Sequence, residues 1–355
     1  MSPAILVTGG AGYVGSHTVA TLLEKENEDY EIIVLDNLCN AYCAAGQKKP
    51  EPLRIIEEMT GKTVQFYDVD IRDVNGLSKI FETHDVDCVI HFAALKAVGE
   101  SVEKPLEYYQ ANITGTCTLL DVMRKYGVYK LVYSSSCTVY GEPTRLPIDE
   151  GHPTGQGLTS PYGKSKYFCE ELMKDVCISD KKWKIVSLRY FNPVGAHPSG
   201  RIGEDPSGIP NNLMPYIAQV AVGRQKELLV YGNDYPTVDG TGVRDYIHVM
   251  DLAEGHLKAV KLFSQTGFSG FHAVNLGTGT GYSVLQMIAA FAAASGQSVP
   301  YRVVGRRPGD IAANYSDVGL SNRLLGWRAH RTLGDMCKDT WRWQSNNPQG
   351  FKKSS

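Results

Sequence analysis

An apolar run at residues 4–7 opens directly into Thr8-Gly9-Gly10-Ala11-Gly12-Tyr13-Val14-Gly15, and helical spacing follows over residues 12–25. No other feature restricts the fold as strongly. A buried strand that turns at once into a helix needs main chain where a Cβ would collide, and glycine provides it. Gly9, Gly12 and Gly15 suit three tasks: a tight turn, close approach of the backbone to a ligand, and close packing of helix on strand. The helix then offers free N–H groups and the positive end of its dipole at that turn, which suits phosphate. The spacing differs by one position from the G-x-G-x-x-G pattern, and such loops also occur as plain turns. Asp36 ends the next apolar run, 31–35, about 20 residues past Gly15. A carboxylate there accepts hydrogen bonds from an adenosine ribose and repels a 2′-phosphate, which favours NAD over NADP. Asn37 follows it, not a cation. The alternative for Asp36 is a turn or helix-cap residue.

Further strand-like runs at 63–67, 88–92, 130–134 and 184–189 alternate with helical patterns at 74–82, 105–126 and 162–178. Residues 40–62 read as a surface excursion with a short helix. This alternation builds βαβ units and a parallel sheet. Beyond Phe191 the texture changes: 192–215 is rich in Pro, Gly and Asn, followed by a helix at 215–222 and a strand at 228–231. A polar turn at 234–242 and amphipathic helices at 283–294 and 333–344 come later. The expected division is 1–191 and 192–355, with the chain crossing back to the first part around 243–280; 355 residues accommodate two domains.

With 36 basic and 38 acidic side chains the formal charge is −2, so no global basic field invites nucleic acid. The eight cysteines form no C-x-x-C pair and no zinc pattern; free thiols in a reducing cytoplasm are expected. No basic start precedes a long apolar stretch, and no run of the length a bilayer demands occurs, so neither a signal peptide nor a membrane helix is expected.

Pro161-Tyr162-Gly163-Lys164-Ser165-Lys166 opens a predicted helix, which puts Tyr162 and Lys166 on one face at i and i+4. A free tyrosine titrates near 10, too high for a base at neutral pH, and a nearby ammonium stabilises the phenolate. Ser134-Ser135-Ser136, at the end of the run beginning at Lys130, supplies a hydroxyl to orient a substrate oxygen. A Tyr/Lys pair at this spacing also arises by chance. It gains meaning here from following a nucleotide loop and a serine-rich strand end in that order.

The matching stretches run nearly from end to end. They cover 8–16, Asp36-Asn37, Asp70-Ile71-Arg72, 91–101, 108–116, 134–141 and 161–166. Arg189-Tyr190-Phe191-Asn192-Pro193, 209–215, Gly242-Val243-Arg244-Asp245-Tyr246-Ile247-His248 and 306–310 continue them. On these motifs the chain resembles the UDP-galactose 4-epimerase family of the extended short-chain dehydrogenase/reductase superfamily. The resemblance implies an α/β fold: a Rossmann-type doubly wound parallel sheet with a smaller C-terminal α/β substrate-binding domain. It implies tightly bound NAD, a UDP-hexose substrate inverted at C4 through a 4-keto sugar, and a homodimer formed through a helix pair. The helices at 105–126 and 162–178 are the candidates for that pair, and their apolar faces are equally compatible with intradomain core.

Residue by residue, the resemblance gives Gly9, Gly12, Tyr13, Val14 and Gly15 to the pyrophosphate region of NAD. Asp36 and Asn37 fall to the adenosine ribose, and Asp70 with Ile71 to the adenine. Phe92, Ala93, Lys96, Ser134 and Lys166 line the path to the nicotinamide ribose, with Tyr190 beside the nicotinamide. Ser136, Tyr162 and Lys166 are the catalytic set, with Lys96 also near the sugar. Phe191, Asn192, Asn212 and Leu213 contact the diphosphate region of the substrate. Leu228, Leu229 and Tyr231 border the uracil, and Arg244, Tyr246, Arg307 and Asp310 grip phosphate and ribose. Two arginines suit a diphosphate, because the guanidinium fork binds phosphate bidentately; without the family context they also read as surface ion pairs.

Three positions depart from the family pattern. Cys137 stands where alanine is usual, 155–158 (Gly-Gln-Gly-Leu) makes a loose loop before Tyr162, and Asn314 replaces a bulkier side chain found in some members. A smaller residue there leaves room for UDP-N-acetyl sugars. The related 4,6-dehydratase chemistry needs an acid beside Ser136, where Cys137 and Thr138 stand. A non-catalytic NAD-binding sensor has no need of the Tyr/Lys pair. UDP-uronic acids and UDP-pentoses are discriminated only weakly by the sequence.

Overall fold

The structure, a computed structural model, describes residues 3–25, 30–206, 208–307 and 309–352. The first two residues, Pro308 within the matched stretch 306–310, and the polar tail 353–355 lie outside the described residues. The first compact unit comprises Met1–Gly141, Pro153–Tyr190 and Ala253–Val274. Strands β1 (Ala4–Thr8), β2 (Glu31–Asp36), β3 (Gln65–Asp68), β4 (Val86–His91), β5 (Lys130–Ser136) and β6 (Lys184–Tyr190) pair in parallel. A seventh strand, Gly270–Leu276, completes the sheet in the order Gly270–Leu276, β6, β5, β4, β1, β2, β3. The order reverses at β1, and ligands in open sheets of this kind bind at that switch, beyond the carboxyl ends of the strands. β1 is buried along its whole length, as a strand covered on both faces must be. β3 sits at the edge, and its partial exposure follows from that position.

The helix expected over 105–126 is broken. It runs as Pro105–Tyr109, a π turn at Gln110–Thr114, and Gly115–Lys125. The break is marked by the Gly115 N–H, which reaches back to the carbonyl of Gln110 rather than one residue nearer. The turn carries Asn112, which is buried. Its amide accepts from Leu95 N–H (2.8 Å) and donates to Leu95 C=O (3.0 Å) and to the Ser165 hydroxyl (2.9 Å). Local helix geometry is given up for bonds that tie three segments together.

The second unit comprises Glu142–His152, Phe191–Leu252 and Asn275–Ser355. Residues 142–152 are held there by the bridge of Ile148 to Ser316 and by Glu150, which accepts from Asn275 N–H at 2.7 Å. At its centre Val243–His248 pairs with Asn192–Val194, Gly281–Ser283 and Ala313–Asn314. A second ribbon joins Leu228–Tyr231 to Tyr301–Val304 in parallel. Helices Leu213–Ala221, Val284–Ser295 and Leu333–Asn346 share one core with these strands. Two of them start in capping boxes, Ser283 with Gln286 and Thr332 with Asp335. Asp245, fully buried, accepts from the N–H and hydroxyl of Thr278, the N–H of Gly279, and the N–H and hydroxyl of Ser316. One carboxylate thus staples two loops to the central strand. All eight cysteines are free. No helix of the described residues is long and apolar enough to cross a membrane.

Candidate active site

The glycine turn is a cradle that tolerates no side chain at two of its positions. Gly9 has φ +69°, and a Cβ on it would lie 2.6 Å from the Ala93 nitrogen at the end of β4. A Cβ on Gly15 would lie 2.3 Å from the Gly9 carbonyl oxygen. The helix Tyr13–Lys25 begins at this point, with Tyr13 and Val14 in its first turn and half-buried. Asp36 binds the same loop: its carboxylate accepts from Ala11 N–H at 3.1 Å and from Leu38 N–H at 2.9 Å. Burial pushes its pKa up, against those two bonds. The carboxylate therefore serves the turn and stands at the end of β2 at once. Asp70 is gripped by the Arg72 guanidinium (2.8 Å to each oxygen) and by the Asn37 amide (2.9 Å), and Arg72 holds its pKa far below the usual carboxylate range. Ile71 is buried in the core, where a Cβ on Gly115 would touch it. Lys96 is exposed, its ammonium 5.7 Å from the centre of the Tyr13 ring.

The catalytic set comes together at the ends of β5 and β6 and the start of the helix Pro161–Ser179. That helix is capped by the Ser160 hydroxyl, which accepts from Gly163 N–H at 3.1 Å. Lys166 is buried, and its ammonium donates to the Ser134 carbonyl at 2.6 Å. It lies 6.0 Å from the centre of the Tyr162 ring and 4.9 Å from that of Tyr133. The Ser136 hydroxyl accepts from Thr138 N–H at 3.2 Å and hydrogen-bonds the Tyr162 oxygen. Burial of the Tyr162 phenol pushes its pKa up to about 12, Ser136 working against the rise. Burial likewise pushes Lys166 down to about 8. Desolvation is the largest cause of both shifts.

Several residues of this site were given no role from the sequence. His91, at the end of β4, has Nδ1 2.7 Å from the Thr8 hydroxyl and Nε2 3.0 Å from that of Thr116; burial, helped by the charge of Lys166, pushes its pKa down to about 3. Glu170, one turn beyond Lys166, accepts from Ser135, Ser187 and Arg189, and Arg189 also donates to Tyr140. Helical spacing from Tyr162 through Lys166 to Glu170 was the available signal, but nothing local names Arg189 as its partner. His256, on the late helix Val249–Leu262, hydrogen-bonds Tyr190.

The other set lies in the second unit. Arg307 donates to Asp310 at 2.9 Å and stacks over the Tyr231 ring, 4.7 Å from its centre. Tyr246 is buried and pushed up to about 12 by burial, with the charges of Arg244 and Arg307 pulling it down. Asn314 faces Arg244 in strand register and is buried, its Oδ1 unpartnered among the described residues. Asn212 is exposed and donates to Glu204 at 3.2 Å; Leu213 and Asn192 are half-buried, and Phe191 is buried. Leu228 is spent in the core, so of the expected uracil neighbours only Leu229 and Tyr231 keep a partly exposed face. Cys137 is buried, and the turn 155–158 is tied down by Gly155 N–H donating to Val139 C=O at 2.9 Å.

A family model described as GDP-mannose 4,6 dehydratase matches residues 6–340. The chain is 61% identical to UDP-glucose 4-epimerase of Drosophila melanogaster over 98% of both chains, and 57% identical to that of Homo sapiens over 99% of both. Its fold is similar to the crystal structure of UDP-glucose 4-epimerase from Bifidobacterium longum in complex with NAD+ and UDP, at TM-score 0.91 and 52% identity, covering 98% of this chain and 99% of that one. A sheet reversing at a side-chain-free turn, with a Ser–Tyr–Lys set two strands over, defines a dehydrogenase of the short-chain type. Within that class the chain belongs to the UDP-glucose 4-epimerase family.

Proposed function

We propose that the protein interconverts UDP-glucose and UDP-galactose by inverting C4, with NAD as a resident cofactor. The observation that carries the reading is the Tyr162 phenol bonded to Ser136, with the buried Lys166 ammonium on the same helix. The cradle at Gly9 and Gly15, which a Cβ would fill, and the carboxylate of Asp36 fit a dinucleotide. Gly12, Tyr13 and Val14 would complete its pyrophosphate site, with Asp70 and Asn37 toward the adenine end. Bound there, NAD would supply the hydride acceptor and donor that inversion at C4 through a 4-keto sugar requires.

The remaining chemistry belongs to the side chains. Tyr162 accepts the proton of the 4-hydroxyl and later gives it back. Ser136, already bonded to the Tyr162 oxygen, donates to the sugar oxygen and sets its direction. The Lys166 ammonium compensates the phenolate while Tyr162 is deprotonated. Arg244 and Arg307, with Tyr231 and Tyr246, suit the anchoring of UDP, so that the sugar turns while the nucleotide stays. We assign the dinucleotide to the first unit and UDP to the second. Dehydration would need an acid beside Ser136, and Cys137 and Thr138 supply none.

At finer grain, Asn314 supports acceptance of UDP-N-acetyl sugars. The eight free thiols support a cytoplasmic setting. Leu106 and Phe168, exposed at 69% and 47%, support a homodimer through the helices Pro105–Tyr109 and Pro161–Ser179. The test of the main reading is to incubate the purified protein with UDP-galactose, without and with added NAD, and to separate the products by anion exchange. Conversion to UDP-glucose is expected; none under either condition overturns the reading.

A further inference from the structure

We infer that His256 is a positioning residue for the C4 chemistry, acting by holding the Tyr190 ring in place. The inference rests on the reading above, since it concerns the same site. Tyr190 ends β6, register-paired with Ser136 of β5, and it senses the charge of Tyr162. It is buried at the strand end that carries Ser136. Two groups hold its hydroxyl. The Ser134 hydroxyl bonds it from β5, and Nε2 of His256 bonds it from the helix Val249–Leu262. The His256 ring meets Tyr190 edge-on at 5.3 Å and 64°, and lies 4.8 Å from Phe92, beside the glycine cradle.

Burial keeps the Tyr190 phenol protonated far above the ordinary range. Its one proton can go to His256 Nε2, with the Ser134 hydroxyl on the other side of the phenol oxygen. That ring is then the neutral tautomer with its proton on Nδ1. Ser134 in turn carries the Lys166 ammonium on its carbonyl. His256, Tyr190, Ser134 and Lys166 form one chain of bonds, so the setting of Tyr190 is coupled to that of the catalytic lysine. His256 is fully buried and touches none of the reacting atoms by this account. Its effect passes through Tyr190.

The test compares His256→Phe, His256→Gln, Tyr190→Phe and the double variant His256→Phe/Tyr190→Phe. Three quantities are read: kcat, KM for UDP-galactose, and the fraction of NAD kept through gel filtration. His256→Phe keeps the ring packing against Phe92 but removes the acceptor. It should lower kcat about tenfold, the scale of one lost buried hydrogen bond, with KM unchanged and NAD retention reduced. His256→Gln, whose amide oxygen accepts the phenol proton, should restore most of both losses. Tyr190→Phe should match His256→Phe, and the double variant should be no worse than either. Parent-like kcat and NAD retention in His256→Phe, equal loss in His256→Gln, or additive losses in the double variant each overturn the inference. If His256→Phe does not fold, Tyr190→Phe carries the test: parent-like kcat and retention there overturn it. A parent protein without epimerase activity would sink the reading above, while NAD retention would still judge His256.

Discussion

Tyr162 and Lys166 are each shifted the wrong way for their charged forms, because both are taken out of water. A phenol pushed up to about 12 is neutral at pH 7, so its service as a base rests on stabilisation of the phenolate. Tyr162→Phe should therefore abolish turnover and leave bound NAD unchanged, read from product formation and from nucleotide released on denaturation. Near-normal activity would remove Tyr162 as the base. Lys166→Met should lower activity and raise the apparent pKa of Tyr162 in the pH profile of kcat; an unmoved pKa would end the argument for compensation. His91 makes a separate prediction about stability. Its folded pKa near 3 lies below the ordinary 6.5, so its contribution is full above pH 6.5 and is lost as pH falls through 3. At pH 5 the unfolded chain already takes up this proton and the folded one does not, which costs about 2 kcal/mol relative to neutral pH. His91→Gln should show that much less loss between pH 7 and pH 5 in urea unfolding; an identical loss would contradict the assignment.

Among the elements, the helix Pro161–Ser179 does most to set the catalytic geometry, and its anchor lies one turn past the lysine. The Glu170–Arg189 pair is fully buried, with both carboxylate oxygens engaged and the guanidinium shared with Tyr140. Replacing both ions by apolar groups could be nearly neutral, but removing one leaves an unpaired buried charge. Arg189→Met should cost about 3–5 kcal/mol in chemical denaturation, and Arg189→Met with Glu170→Gln distinctly less. Equal destabilisation of the single and double variants would show that packing, not charge, is what matters there. The glycine turn is a second element-scale case. Gly15→Ala forces a Cβ against the Gly9 carbonyl, which is backbone and cannot swing aside. The variant should lose NAD on gel filtration; full retention would show that the turn can relax. Both elements were visible in the chain as patterns, the loop by its glycines and the helix by its Pro161 start. The π turn at Gln110–Thr114 was not, because its cause is the set of bonds Asn112 makes to Leu95 and Ser165, far from it in sequence.

At the scale of the whole molecule, the helices Pro105–Tyr109 and Pro161–Ser179 each carry an exposed apolar side chain. Leu106 and Phe168 are exposed side chains of a size that water does not favour. A double variant, Leu106→Glu with Phe168→Glu, should sediment as half the parent mass while keeping its circular dichroism. A parent protein that already sediments as a monomer would refute the homodimer. The two units also divide the chain more finely than one boundary near 191 and a return around 243–280 describe. Residues 142–152 belong with the second, and Ala253–Val274 with the first, because strand pairing and buried side chains recruit them over long sequence distances.

What the amino-acid sequence determined alone is the chemistry that near neighbours carry. The glycine cradle, the carboxylate at the end of β2, the tyrosine and lysine one turn apart and the serines at a strand end are all defined by spacings of a few residues. Spacing on a helix or strand is geometry that any chain obeys. The tertiary structure alone decided the partners brought from far away: His256 for Tyr190, Arg189 for Glu170, Asp245 for the loops at Thr278 and Ser316. It also decided the direction in which Tyr162 and Lys166 are shifted. Those outcomes depend on which groups are buried together, and burial is a property of the packed chain rather than of any segment of it.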